Sequence, residues 1–126
     1  MAAEEDRALA LSFFELVGRG ELDAAMALFA EDARYWNPGT GESDLEGLRR
    51  LLEGAAALFD GPMTMQIAGA FGEGGRVAVE AKSSVKLKRG GRYANSYCFV
   101  FEIEGGRIAR LREYCDTAPA AVFAQG

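Results

Sequence analysis

The stretch FVFEIEGGRIARLREYCD, residues 99–116, decides the fold because its pattern is that of two strands joined by a tight turn. Apolar and polar residues alternate on both sides of the glycine pair, which is the two-residue period of a strand with one buried face. A three-residue loop, 104–106, matches the apolar residues best and sets Leu111 opposite Phe99. We therefore expect a hairpin whose buried face carries Glu113, a carboxylate among apolar side chains.

The second half of the chain continues this two-residue period. It predicts strands over 63–71, 76–88, 92–103 and 107–116, joined by glycine-rich turns into an antiparallel meander. One face of this sheet is expected to be apolar at its base and polar towards one end. Its predicted members are Val79, Ala81, Ser83, Asn95, Tyr97, Phe99, Phe101, Leu111, Glu113 and Cys115.

The middle hairpin is predicted to close through the three-residue loop 89–91, for the same reason of apolar matching. This register sets Ala81 opposite Phe99. It also sets Ser83 opposite Tyr97, so that Tyr97 is expected to lie between Ser83 and a carboxylate on the last strand.

The first half of the chain has a helical period of apolar residues over 4–17 and again over 21–30. A short strand is predicted inside 28–43. Ser43 and Glu46 have the spacing of a capping box and predict the start of a third helix. The sequence thus predicts an α+β fold with three N-terminal helices packed on a mainly antiparallel sheet.

Composition narrows the class of protein. With 126 residues and 49% hydrophobic content, the chain has the length of one domain, 1–126, with a real core. The net charge of −5 predicts no nucleic-acid partner, and the basic run over 82–92 fits a solvated hairpin better than a nucleic-acid surface. An acidic N-terminus and the lack of a long apolar run predict a soluble, cytoplasmic protein without a membrane segment.

The chain has no histidine, and its two cysteines, Cys98 and Cys115, lack metal-binding spacing. This composition excludes the usual zinc, haem and Ser-His or Cys-His sites. We therefore expect no metal and no cofactor, with any chemistry carried by carboxylates, phenols and amides. The two cysteines are predicted to point to opposite sheet faces, which disfavours a disulfide.

The order of these elements resembles that of the NTF2-like (SnoaL-like) superfamily. GRGELDAAMALFAEDARYWNP, residues 18–38, is similar to its helix-helix-strand opening, and residues 99–116 are similar to its closing hairpin. The resemblance implies a cone in which the helices cover a curved sheet and enclose a pocket. Members include ketosteroid isomerases, polyketide cyclases, limonene epoxide hydrolases, dehydratases and non-catalytic domains, so the fold alone does not fix the function.

Comparison with two of these groups is more specific. Asn37 stands where the ketosteroid isomerases have their catalytic Asp, and an amide is not a base at useful pH. Tyr35, Asn37 and Glu113 match the water-binding Tyr, Asn and carboxylate of limonene epoxide hydrolase. Ala81 and Ser83 replace its Arg and Asp. Neither of these two reactions is therefore expected.

The sequence and the resemblance together predict a catalytic group and a set of ligand contacts. The predicted catalytic residues are Glu113 as acid or base, with Tyr97, Tyr35 and Asn37 polarising substrate or water. The predicted ligand-binding residues are Asn95, Ser83, Phe99, Leu111 and Phe14. Such a pocket suits a small, largely apolar substrate with one or two polar groups, in isomerisation, cyclisation, dehydration or hydrolysis.

Less specific interpretations stay open at this point. Glu113 can be a carboxylate that a phenol satisfies without turnover, the tyrosines can be pocket walls, and Asn37 can simply shape its turn. The whole domain can then be a non-catalytic ligand-binding or accessory module. Burial is expected to raise the pKa of Glu113 and phenol donors to lower it, and the sequence cannot rank the two effects.

The mixed outer sheet face, which resembles the family's dimer face, predicts a homodimer. Trp36 is expected to point to that side by strand alternation.

Overall fold

A six-stranded sheet with the strand order β2-β1-β6-β5-β4-β3 organises the chain in the computed structural model, which describes residues 2–119. All neighbouring strands are antiparallel except β1 and β6, which run parallel. The elements are α1 (Ala2–Gly18), α2 (Leu22–Met26), β1 (Phe29–Asn37), β2 (Gly41–Asp44), α3 (Leu45–Leu58), β3 (Met65–Glu73), β4 (Arg76–Lys86), β5 (Arg92–Glu104) and β6 (Arg107–Cys115).

The predicted α+β class is confirmed, with corrections to the helices. Strands β1 and β2 separate α2 from α3, so the three helices do not form one N-terminal group. The predicted capping box at Ser43 and Glu46 is wrong. Asp44 is the N-cap of α3, because its extended backbone at the end of β2 lets Oδ1 accept a hydrogen bond from the Gly47 amide at 2.9 Å.

The predicted register of the last hairpin is wrong by two residues. Glu104 pairs with Arg107 around a two-residue turn, Gly105-Gly106, whose φ values of 58° and 77° suit a type I′ turn. An extra residue on β6, Ala109, then shifts the pairing, so that Glu113 lies opposite Phe99. This β-bulge restores the inward direction of Glu113, which a two-residue turn alone would have reversed.

The middle hairpin also differs from the prediction by two residues. Lys86 pairs with Arg92, and the connection 87–91 is longer than predicted because Leu87 leaves the ladder and packs on Phe59 at the end of α3. Tyr97 therefore lies opposite Ala81. Ser83 lies opposite Asn95, and Phe99 opposite Val79. A shift of two residues keeps every side chain on its predicted face.

The inner sheet face, which is the face towards the helices, carries the core. All ten predicted members of this face are buried or half-buried. Helix α1 packs on β3 and β4, and α3 packs on β1 and β2. Phe13 of α1 meets Phe14, Phe29 and Phe101 in edge-to-face contacts. The two helices thereby cover the inner face from opposite sides and leave a gap between them.

The outer sheet face, which is the opposite face, is half polar. Trp36 lies on it with its ring 5.1 Å from that of Tyr114, which confirms that Trp36 points away from the helices. Arg110 and Arg112 pair there with Glu42 and Glu102 respectively. Cys98 and Cys115 are both free thiols. No helix within residues 2–119 is long and apolar enough to cross a membrane.

Candidate functional site

A cavity of about 90 Å³ lies between α1, α3 and the inner sheet face. A cavity needs roughly 10–15 Å³ to hold a single water, so this one is large enough for several water molecules or a small ligand. Among residues 2–119, most of the wall is apolar, with three phenols and one carboxyl in it. The lining residues are Phe13, Phe14, Val17, Gly18, Tyr35, Leu48, Leu51, Leu52, Ala55, Phe59, Met63, Met65, Tyr93, Tyr97, Phe99, Leu111 and Glu113.

The carboxyl of Glu113 is held by a phenol from the parallel strand beside it. Tyr35 lies opposite Leu111, which places its ring beside the next inward residue of β6, Glu113. The Tyr35 hydroxyl donates a hydrogen bond to Glu113 Oε1 at 2.7 Å. Tyr35 is only 2% exposed, so its hydroxyl is held within the protein and the bond fixes one side of the carboxyl.

Asn37 supports Tyr35 from behind the cavity wall. Its Nδ2 donates to the Tyr35 hydroxyl at 3.1 Å and to Thr40 Oγ1 at 2.9 Å. Its Oδ1 accepts from the backbone amides of Gly39 and Thr40, both at 2.8 Å. The side chain is buried and does not line the cavity. This geometry agrees with the turn-shaping interpretation, because the Asn37 amide is occupied within its own turn and by Tyr35.

Burial is the main influence on the pKa of the Glu113 carboxyl. Loss of solvent raises the pKa of Glu113, while hydrogen bonds from Tyr35 and Cys115 lower it by a smaller amount, so the pKa lies above its ordinary value. Burial, together with the charge of Glu113, raises the pKa of Tyr35, which remains a hydrogen-bond donor. The same two causes raise the pKa of the Cys115 thiol to about 11, so this thiol stays protonated at neutral pH.

A second hydrogen-bond network joins four side chains of β4 and β5. The Tyr97 hydroxyl lies 2.8 Å from Ser83 Oγ and 3.0 Å from the Tyr93 hydroxyl. Asn95 Nδ2 donates to the Tyr93 hydroxyl at 3.0 Å. Burial is the main cause that raises the pKa values of Tyr93 and Tyr97, so both phenols are neutral at physiological pH.

The structure brings six of the nine predicted site residues together around the cavity. These are Glu113, Tyr97, Tyr35, Phe99, Leu111 and Phe14. Asn37, Asn95 and Ser83 lie behind the wall, each bonded to a phenol that lines it. The predicted position of Tyr97 between Ser83 and Glu113 is only half correct. Tyr97 bonds to Ser83, but the phenol on Glu113 is Tyr35.

The sequence analysis missed Tyr93 and the part of the wall that α3 and the following segment provide. Tyr93 is two residues before Asn95, so strand alternation was a sufficient signal for it. Leu51, Met63 and Met65 had no such signal, because their place depends on how α3 packs across the sheet. Within residues 2–119, no group of three or more His, Cys, Asp or Glu side chains is arranged to hold a metal ion.

Comparisons with known proteins agree with this architecture. The model of the SnoaL-like domain family matches residues 10–111. An LEH-like epoxide hydrolase of Mycobacterium tuberculosis is similar in structure with a TM-score of 0.80 and 20% identity, over 98% of this chain and 91% of that one. A candidate polyketide cyclase of Xanthomonas campestris pv. campestris has a TM-score of 0.83 and 20% identity, over 99% and 98%.

TerC, in a structure obtained with polyporic acid, has a TM-score of 0.81 and 15% identity, over 97% of this chain and 99% of that one. No functionally curated protein matches the chain. At these identities, the likeness to solved structures concerns the fold, and the family match covers the segment from α1 to Leu111.

Proposed function

The chain belongs to the SnoaL-like domain family, and from this premise we propose that it is an enzyme of small-molecule metabolism that transfers protons without a cofactor. Its substrate is small and largely apolar, and it binds in the cavity between α1, α3 and the sheet. Glu113 is the acid or base, and Tyr35 and Tyr97 polarise the substrate or a water molecule. Asn37 acts through Tyr35 as a positioning residue.

The observation that carries this proposal is a carboxyl with a raised pKa in an apolar cavity. A carboxyl whose pKa has moved towards neutrality exchanges its proton more readily at physiological pH than an ordinary, fully ionised one. The bond from Tyr35 at 2.7 Å orients Oε1 of a carboxyl that lines the cavity. In its ionised form Glu113 takes a proton from the substrate, and in its neutral form it returns one.

The class of reaction follows the same chemistry. Isomerisation, cyclisation, dehydration and water addition each need one proton removed and one delivered, which a single carboxyl can do in turn. Two proteins of similar fold are named as an epoxide hydrolase and a candidate polyketide cyclase, which supports chemistry of this kind in the family. The phenols add hydrogen-bond donors for an oxygen that gains negative charge during the reaction.

The test is turnover with a matched pair of variants. A panel of single-ring ketones, enones and epoxides is incubated with the wild type, with Glu113→Gln and with Glu104→Gln. Glu104 is exposed at the end of β5, so Glu104→Gln makes the same chemical change away from the cavity. We expect Glu113→Gln alone to lose turnover. Equal turnover in Glu113→Gln and the wild type removes Glu113 from the mechanism.

A second candidate function is that of a ligand-binding domain without turnover. The observation in its favour is that Glu113, Tyr35 and Asn37 already satisfy one another by hydrogen bonds within the protein. In that case the cavity binds members of the same panel, but no member is converted by the wild type. Isothermal titration beside the turnover assay separates the two functions.

We also propose that the protein forms a homodimer through the outer sheet face. The ring pair of Trp36 and Tyr114 and the highly exposed Phe71, at 62%, give this face apolar area. Light scattering at micromolar concentration is expected to give the mass of two chains. Tyr114→Asp should lower the mass to one chain, whereas Tyr114→Phe should not. A wild-type mass of one chain contradicts the proposal.

A further inference from the structure

We propose that the segment 61–64, which joins α3 to β3, is the gate through which ligands enter and leave the cavity, and that the side chain of Met63 closes this gate. The gate rests on the proposed function in one respect only, namely that the cavity binds a small molecule. It adds the route of that binding and the residue that sets its rate. It does not depend on whether Glu113 transfers a proton.

Met63 belongs to a part of the cavity wall that no helix or strand supports. Among the described residues that line the cavity, Phe59 and Met63 alone lie outside the helices and strands. Phe59 is nevertheless held in place, because it forms a β-bridge with Leu87 and the next amide, that of Asp60, donates to the Lys86 carbonyl at 2.8 Å. The end of α3 is thus tied to the β4–β5 connection, and the wall at Met63 has no comparable tie.

The segment between these fixed points has no hydrogen-bonded ladder to break. Within the described chain, residues 2–119, no backbone hydrogen bond joins 61–64 to any other residue, and the ladder resumes at Met65, which pairs with Ser83. Gly61 has a φ of 101°, a conformation that favours glycine, and a glycine changes its backbone angles at the lowest cost. Segments with few backbone hydrogen bonds open at the lowest free energy. We therefore place the hinge at Gly61.

The wall is thin at this place. Gly61, Pro62 and Thr64 are exposed, whereas Met63 between them is half-buried, lines the cavity and packs against the apolar cluster that contains Phe59. A single side chain thus separates the cavity from the solvent. Methionine has three rotatable side-chain bonds and fits irregular spaces, so it moves at lower cost than a branched or aromatic residue. Rotation of this one side chain would open the cavity between the ends of α1 and α3.

Met65 provides a matched control for Met63. It is also half-buried and also lines the cavity, but it belongs to β3 and is paired with β4. Truncation to alanine removes the same side chain from the wall in both variants. Met63→Ala removes the group that closes the gate, whereas Met65→Ala leaves the gate intact. The two variants therefore separate a change in exchange rate from a change in cavity volume.

Fluorobenzene is the probe, because it is a neutral single ring that suits an apolar wall. Its ¹⁹F line shape at several ligand concentrations gives the association and dissociation rate constants for the wild type, Met63→Ala and Met65→Ala. We expect Met63→Ala to raise both constants by about three- to tenfold, the factor that corresponds to the burial of about half a methionine side chain. The dissociation constant should change less than either rate. Met65→Ala should change the dissociation constant and leave the association rate constant within about twofold of the wild type.

A second measurement uses the wild type alone and stands even if a variant fails to fold. The chain has four methionines, so labelling of their ¹³C methyl groups gives few signals to assign. Relaxation dispersion detects exchange between two environments on the microsecond to millisecond timescale. We expect such exchange at the methyl group of Met63 and not at that of Met65.

Two results overturn the gate. One is an association rate constant in Met63→Ala equal to that of the wild type, which means that the ligand enters elsewhere. The other is a methyl group of Met63 without exchange in the wild type. Neither measurement depends on turnover, so equal turnover in Glu113→Gln and the wild type would remove the proposed catalytic role of Glu113 and leave the gate unaffected.

Discussion

The bond between Tyr35 and Glu113 makes the stability of the protein depend on pH in a way that a single substitution can expose. Tyr35→Phe removes the hydroxyl that donates to Oε1 at 2.7 Å and that accepts from Asn37 Nδ2 at 3.1 Å. The ring itself stays in place because Phe has the same shape. The variant therefore tests the two hydrogen bonds with little change in packing.

The stability lost in Tyr35→Phe depends on which hydrogen-bond partners remain for Glu113 and Asn37. A hydrogen bond to an ionised group contributes about 1.5–3 kcal/mol, and a neutral one about 0.5–1.5 kcal/mol. Asn37 Nδ2 still donates to Thr40 in the variant, so the loss of its bond to Tyr35 is expected to cost only about 0.5 kcal/mol. We expect Tyr35→Phe to reduce the free energy of unfolding by roughly 2–3.5 kcal/mol where Glu113 is ionised, and by about 1 kcal/mol less where it is protonated.

The cost of Tyr35→Phe rises with pH. Tyr35 lowers the pKa of Glu113, so the variant has a higher folded-state pKa than the wild type. The cost of the substitution is therefore smallest at low pH, and it grows as the pH rises through the pKa of the wild type and towards that of the variant.

Urea unfolding at pH 4 and pH 8, followed by the fluorescence of Trp36, the single tryptophan, measures this cost. The same substitution is also made in the Glu113→Gln background, where the bond from Tyr35 is neutral at every pH. We expect the extra cost at pH 8 to vanish in that background. A cost that is the same at both pH values in the wild-type background refutes the assignment of an ionisable partner to Tyr35.

Three further predictions concern stability and are checked by the same urea assay. Glu113→Gln should gain stability relative to the wild type as the pH rises through the pKa of Glu113, because burial raises that pKa. The gain is about 1.4 kcal/mol for each unit by which the pKa is raised. A difference in stability that stays constant between pH 4 and pH 9 contradicts this. Leu48→Ala should cost about 2–5 kcal/mol and enlarge the cavity, since Leu48 is buried in its wall; a cost under about 1 kcal/mol contradicts this. Gly106→Ala should destabilise the protein by about 1–2 kcal/mol, because φ at this position is 77°. Gly54→Ala, in the open middle of α3, should stabilise it by about 0.5–1 kcal/mol. Changes in stability of the same sign in the two variants contradict this.

The sequence predicted the composition of the site far better than its internal contacts. Side-chain direction in a strand depends only on parity, so alternation placed Tyr97, Phe99, Leu111 and Glu113 on the inner face. The contacts depend on register, which a β-bulge and a displaced leucine changed by two residues in both hairpins. A register error of two residues therefore leaves each side chain on its predicted face, but it changes which residues lie opposite each other on neighbouring strands.

The partner of Glu113 shows why the remaining part could not be predicted from local patterns. Tyr35 reaches it from β1, 78 residues earlier in the chain, and only because β1 joins the sheet in parallel beside β6. No turn connects these two strands, so neither loop length nor hairpin chemistry sets their register. The balance that decides the pKa of Glu113 has the same origin. Burial depends on how α1 and α3 close over the sheet, and the opposing hydrogen bond depends on this one long-range strand pair. The chemistry of the site is therefore a property of the assembled sheet, and its direct test is the pH dependence of the bond between Tyr35 and Glu113.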